Sequence, residues 1–152
     1  MRMDHIPKVS NNKPHMKYLS VDLGTRRTGL AISDDKGIIA QPFKIIERKS
    51  DSQLVAEISE ICTQKRIDMI ILGIPFSSHQ EIQDAYRKFG QKIARKTGLP
   101  LQEWDETFST KQAQNMVAFA DQPTERKKTR THRDSVAAAV ILQEYLDNEE
   151  RH

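Results

Sequence analysis

The chain has 152 residues and a single cysteine, Cys62, so no disulfide can form within it and no cysteine-rich zinc site can be built. Cys62 falls in an apolar helical pattern, which reads as a buried structural thiol rather than a nucleophile. Long hydrophobic runs are also missing. The longest, Met69–Ile74 and Val136–Leu142, fall well short of the roughly 18 residues of a membrane span. The opening residues, MRMDHIPKVSNNKPHM, lack the apolar stretch of a signal peptide. These absences predict a soluble, cytoplasmic protein with no membrane partner. Neither sign of charge dominates: 24 Lys and Arg stand against 21 Asp and Glu, a net charge of +3. That excess is too mild to argue for a nucleic-acid partner, so its distribution decides.

The length suits one domain with a core large enough to need no disulfide or structural metal. Residues 1–16 read as a polar, disordered extension, with Pro7, Asn11, Asn12 and Pro14 opposing regular structure. Residues 17–148 read as the domain and 149–152 as a tail. Lys17–Leu23 alternates apolar and polar residues, a first strand. The short Gly24-Thr25-Arg26-Arg27 connection leads to a second strand over Thr28–Ser33, and Asp34-Asp35-Lys36-Gly37 turns into a third over Ile38–Ile46. Leu54, Val55, Ile58, Ile61 and Cys62 form the stripe of a helix from Asp51 to Lys65. Asp68–Ile74, ended by Pro75, reads as a buried central strand. Ile82, Tyr86, Phe89 and Ile93 predict a second helix, stopped by Gly98 and Pro100. Leu99–Asp105 is a fifth strand. Ser109-Thr110-Lys111-Gln112 is a capping-box pattern for a third helix to about Ala120, and Asp134–Leu146 is a last helix. The order βββαβαβαα predicts an α/β fold: a mixed five-stranded sheet with helices on both faces. The ribonuclease H-like fold shares this order.

Acidic residues stand at three element edges: Asp22 at the end of the first strand, Asp105 and Glu106 at the end of the fifth, and Asp134 at the start of the last helix. If the first strand pairs with the fourth and the fourth with the fifth, these ends share one rim. Crowded carboxylates repel, and a divalent cation with hard oxygen ligands removes the conflict. Each acid also has a simpler use. Asp134 is a good N-cap, and Glu106 suits an ordinary strand end. Asp-x-Gly-Thr at residues 22–25 also fits a turn whose backbone N–H groups hold a phosphate, as in sugar kinases and actin-like ATPases. The segment Arg126–Arg133 packs five fixed positive charges into eight residues and is read as a loop delivering Asp134.

Four motifs are similar to those of the YqgF/RuvX family. They are Asp22-Leu23-Gly24-Thr25-Arg26-Arg27-Thr28-Gly29-Leu30-Ala31, Leu72-Gly73-Ile74-Pro75, Asp105-Glu106-Thr107-Phe108-Ser109-Thr110, and Asp134 through Leu142. The resemblance runs from about Met16 to Leu146. It implies a ribonuclease H-like domain related to Holliday-junction resolvases of the RuvC type, acting as a nuclease on the precursor of small-subunit (16S) ribosomal RNA. It further implies that Asp22, Glu106 and Asp134 are the catalytic, metal-binding acids for Mg2+ or Mn2+, with two ions expected. The chain departs from the family pattern in three places: Thr107 replaces a usual Arg, Phe76-Ser77-Ser78-His79 lacks the usual Asn and Asp-Gly, and Thr131-His132-Arg133 replaces a Lys-Gly-containing lead. The acids survive all three changes.

Within this frame Arg26, Arg27, Lys127, Lys128, Arg130 and Arg133 are expected to meet phosphates, a contact that is sequence-blind and salt-sensitive. Ser109 is expected to cap its helix and touch substrate. Trp104 and Tyr18 are candidates for base stacking, though Trp104 reads first as core. The expected partner is RNA, with structured DNA as the alternative, in a monomer or homodimer. Rival readings are a four-way DNA junction resolvase, a non-catalytic nucleic-acid-binding module, and an ATP-binding domain of the actin-like kind.

Overall fold

The structure, a computed structural model, describes residues 15–106 and 126–150, with the backbone alone at 126–134 and 150. Strands β1 (Tyr18–Leu23), β2 (Arg27–Ser33) and β3 (Ala40–Glu47) form the antiparallel meander. Helix α1 (Asp51–Gln64), strand β4 (Met69–Ile74), helix α2 (Gln80–Thr97) and strand β5 (Leu101–Asp105) follow, and α3 (Arg126–Glu150) closes the described chain. The sheet order is β3-β2-β1-β4-β5, with β4 parallel to both β1 and β5. The expected third helix, with Ser109, lies outside the described residues, as does the extension at 1–14.

The sheet is covered on both faces, so its central strands are buried on both. Leu19, Val21 and Leu23 of β1 join Ile70, Leu72 and Ile74 of β4 against the apolar stripes of α1 and α2. On the opposite face Tyr18 and Ile71 pack under Ala138, Ile141, Leu142 and Tyr145 of α3. Ser20 reaches the same face, where its hydroxyl donates to the Ala138 carbonyl at 2.7 Å. Each helix is amphipathic because the sheet leaves it one dry side and one wet side. Ser50 caps α1 by accepting from the Gln53 amide at 3.1 Å. Gly98, at φ 73°, ends α2 in the left-handed conformation that costs glycine least. Cys62 is buried, and burial pushes its thiol up to about 11.

Several sequence expectations need correction. Strand β3 starts at Ala40 rather than Ile38, because the Asp34 carboxylate accepts the amides of Ile38 (2.7 Å) and Ile39 (2.8 Å) and keeps both in the turn. Ile82, expected on the inward stripe, is 44% exposed in the first turn of α2, while Phe89 and Ile93 further along are buried. Tyr18, a candidate for base stacking, is buried, while Trp104 packs against the α3 cluster, as its reading as core expected. Tyr145 sits between them with ring centroids 5.6 Å from each, beneath α3. The largest correction concerns the basic run, which is helix and not loop. Helix α3 is already formed at Arg126, so Asp134 lies about two turns inside it and is not an N-cap. From Arg126 to Glu150 there is no Gly or Pro to break the helix, and Lys and Arg favour it.

Candidate active site

The parallel strands deliver their C-terminal ends to one rim, where Val21 pairs with Leu72, Gly73 with Trp104 and Ile74 with Asp105. Side chains alternate along a strand. Asp22, Gly73 and Glu106 each follow by two residues a group that faces α3: Ser20, Ile71 and Trp104. All three therefore belong to the α3 side of the rim, with β4 lying between the two acids. Gly73 makes their meeting possible. A Cβ at that position would lie 3.1 Å from both Cβ and Oε1 of Glu106 and 2.9 Å from Cδ1 of Ile141.

The electrostatics record how closely the acids approach. Burial, the charge of Asp22, a hydrogen bond shared with Asp22 and the charge of Asp105 together push the Glu106 carboxyl up to about 8. Two carboxylates at hydrogen-bond distance cannot both ionise without compensation, so at neutral pH they share a proton or need a cation. Oε1 of Glu106 is buried with no hydrogen-bond partner. A buried, unpartnered carboxylate oxygen beside a second carboxylate is a donor set suited to a hard divalent cation. Among the described side chains no group of three or more His, Cys, Asp or Glu is placed to hold a metal ion. The third expected acid, Asp134, has backbone alone described. Position 134 lies one helical turn before Ala138, whose carbonyl is tied to Ser20, two residues before Asp22. Ala138 of α3 packs at Ser20 and Tyr145 at Tyr18, so α3 runs antiparallel to β1 with its N-terminal turns nearer the rim.

Of the expected phosphate contacts, Arg26 is exposed in the turn after Asp22 and Arg27 is half-buried at the start of β2. Lys127, Lys128, Arg130 and Arg133 lie on the first turns of α3. Two further residues border the site and were not picked out for it from the sequence. Tyr86, read only as part of an apolar stripe, donates its hydroxyl to the Leu23 carbonyl at 3.0 Å. Burial and the charges of Glu106 and Asp22 push that phenol up to about 12. Arg48 donates to the Gly24 carbonyl at 2.9 Å. A tyrosine within a stripe of purely apolar residues was a usable signal, whereas Arg48 carried none.

Comparison with known proteins agrees with this architecture. In structure, the chain is similar to T. thermophilus RuvC in complex with a Holliday junction substrate (TM-score 0.57, 16% identity, 88% of this chain and 95% of that one). It is likewise similar to the fowlpox virus resolvase in complex with Holliday junction DNA (TM-score 0.58, 14% identity, 88% and 98%). At these identities the likeness shows the ribonuclease H-like fold. In sequence, a protein of Lachnospira eligens is 32% identical over 90% of this chain and all of its own length. One of Agathobacter rectalis is 36% identical over 87% of this chain and 95% of its own. Both are named "Putative pre-16S rRNA nuclease". The family model for RuvX, described as a Holliday junction resolvase, matches residues 16–148. With that match spanning the domain and the relatives aligned over nearly their full lengths, the chain belongs to the RuvX family of nucleases.

Proposed function

We propose that this protein hydrolyses phosphodiester bonds in the precursor of 16S ribosomal RNA, with Asp22, Glu106 and Asp134 as the residues that hold Mg2+ or Mn2+. One observation carries the reading: Asp22 and Glu106 are pressed together over Gly73 with a buried Glu106 oxygen left unpartnered. Such an arrangement is costly unless a cation completes it. The relatives' shared name supports the RNA substrate. When bound, the cation supplies Lewis-acid polarisation of the phosphate and lowers the pKa of attacking water.

The chain's own residues do the rest. Asp22, at the end of the buried central strand β1, would be one of the ligands. Glu106 and Asp134 would complete the set. Arg26 and Arg27, next to Asp22, and Lys127, Lys128, Arg130 and Arg133, on the helix that carries Asp134, hold the phosphates flanking the one attacked. With water as the nucleophile, no side-chain nucleophile is required. Asp22→Asn is expected to abolish cleavage of a 16S precursor while leaving the circular dichroism spectrum and most RNA affinity intact. Undiminished cleavage by the purified variant overturns the assignment. The family's description as a Holliday junction resolvase favours a four-way DNA junction as the second substrate to assay beside the RNA.

A further inference from the structure

The backbone just after Asp22 is held from outside the sheet by two side chains of different origin. The last β1–β4 pair is Val21 with Leu72. Beyond it the Tyr86 hydroxyl, from α2, donates to the Leu23 carbonyl at 3.0 Å. The Arg48 guanidinium, from the segment between β3 and α1, donates to the next carbonyl, that of Gly24, at 2.9 Å. The Arg48 amide also donates to the Arg26 carbonyl at 2.7 Å, and the Gly24 amide to the Arg27 carbonyl at 3.0 Å. The turn is tight enough that a Cβ on Gly24 would meet the Arg27 carbonyl oxygen at 2.4 Å.

The Arg48 brace is itself anchored. The Arg48 guanidinium donates to the Asp51 carboxylate at 3.0 Å and lies 5.4 Å from the centroid of the buried Phe89 ring. That hydrogen bond holds the Asp51 carboxyl below its ordinary value. Tyr86 feels the charges of Asp22, Glu106 and Arg48 together, so the four groups form one electrostatic neighbourhood. We propose that Arg48 and Tyr86 are positioning residues of the acid site, clamping the Leu23 and Gly24 carbonyls so that the Asp22 carboxylate is held at the rim. The inference rests on the acid-site reading above. Two adjacent carbonyls fixed by two side chains leave the preceding residue little freedom. Partners of this kind, behind the ligands, usually set metal affinity.

The test is direct titration of Mn2+ alone into the full chain, by calorimetry or by electron paramagnetic resonance of free Mn2+, for the native protein, Tyr86→Phe, Arg48→Met and Asp22→Asn. Tyr86→Phe removes one oxygen and keeps the ring, so it preserves packing. Tyr86→Phe and Arg48→Met are each expected to weaken Mn2+ binding about 10-fold, with the KM for nucleic acid unchanged and kcat restored at high Mn2+. Arg48→Lys, which keeps one donor, is expected to recover part of the loss. A structural role alone predicts a lower melting temperature with unchanged Mn2+ affinity. That result for Tyr86→Phe, with Asp22→Asn abolishing Mn2+ binding in the same experiment, overturns the inference and leaves the acid site standing. Native affinity in Asp22→Asn removes the acid-site reading itself, and this inference with it.

Discussion

Replacing Glu106 by Gln keeps the shape of the side chain and removes its charge, and the consequence for stability can be worked through. The carboxyl moves from an ordinary value of 4.5 to about 8 in the folded chain, through burial first and then Asp22. A raised acid stabilises nothing at high pH. Below 4.5 the folded and unfolded chains both carry the neutral acid, and the shift costs nothing. As pH rises the unfolded chain ionises first, so stability falls until the folded group ionises near 8, after which the cost is constant. Linkage puts that cost at roughly 1 kcal/mol at pH 5, about 3 at pH 7 and about 4 at pH 8. Glu106→Gln escapes it. In urea unfolding without divalent ions, the variant and the native protein are expected to have similar midpoints at pH 4.5 and to diverge steadily toward pH 8. The variant is then the more stable by several kcal/mol. Adding Mg2+ or Mn2+ should narrow the gap by stabilising the native chain alone. If at pH 8 the variant unfolds at or below the native midpoint, then the carboxyls at 22 and 106 do not press on each other. The reasoning from their convergence is then wrong.

Gly73→Ala drives a Cβ to within 3.1 Å of Glu106 and 2.9 Å of Ile141, so something must move. The expected cost is about 1–3 kcal/mol in unfolding free energy, measured by denaturant. The accompanying fall in cleavage should be about 100-fold, from displacement of Glu106. Cys62, with its thiol pushed up to about 11 and its side chain buried, should resist iodoacetamide at neutral pH in the native chain and react once urea unfolds it, as read by mass. Replacing Lys127 and Arg130 together should weaken RNA binding and flatten the slope of log affinity against log salt by about 1–2, without changing which RNA is preferred.

Much of the fold was legible because its signals are local. The start of β1 was placed to within one residue by a period-2 pattern, and the end of α2 was placed by Gly98. Local signals failed where a distant or competing group decided. Ile38 and Ile39 look like strand, but an aspartate carboxylate holds their amides in a turn. Asp134 looks like a cap, but helix-favouring neighbours run the helix through it. Tyr18 looks available for stacking, yet it is buried against Tyr145 of α3. At the site, the sequence singled out the acids but not their supports, because Arg48 acts on a carbonyl 24 residues away.

Residue order alone determined the succession of strands and helices, the apolar stripes and the identity of the acids, since each follows from side-chain chemistry and spacing along the chain. Tertiary structure decided which acids meet. Asp22 and Glu106 are brought together only because β4 lies between β1 and β5 with a glycine at the level where the two carboxyls cross. That contact, and the proton or cation it demands, is a property of strand order and burial, neither of which any stretch of sequence carries by itself.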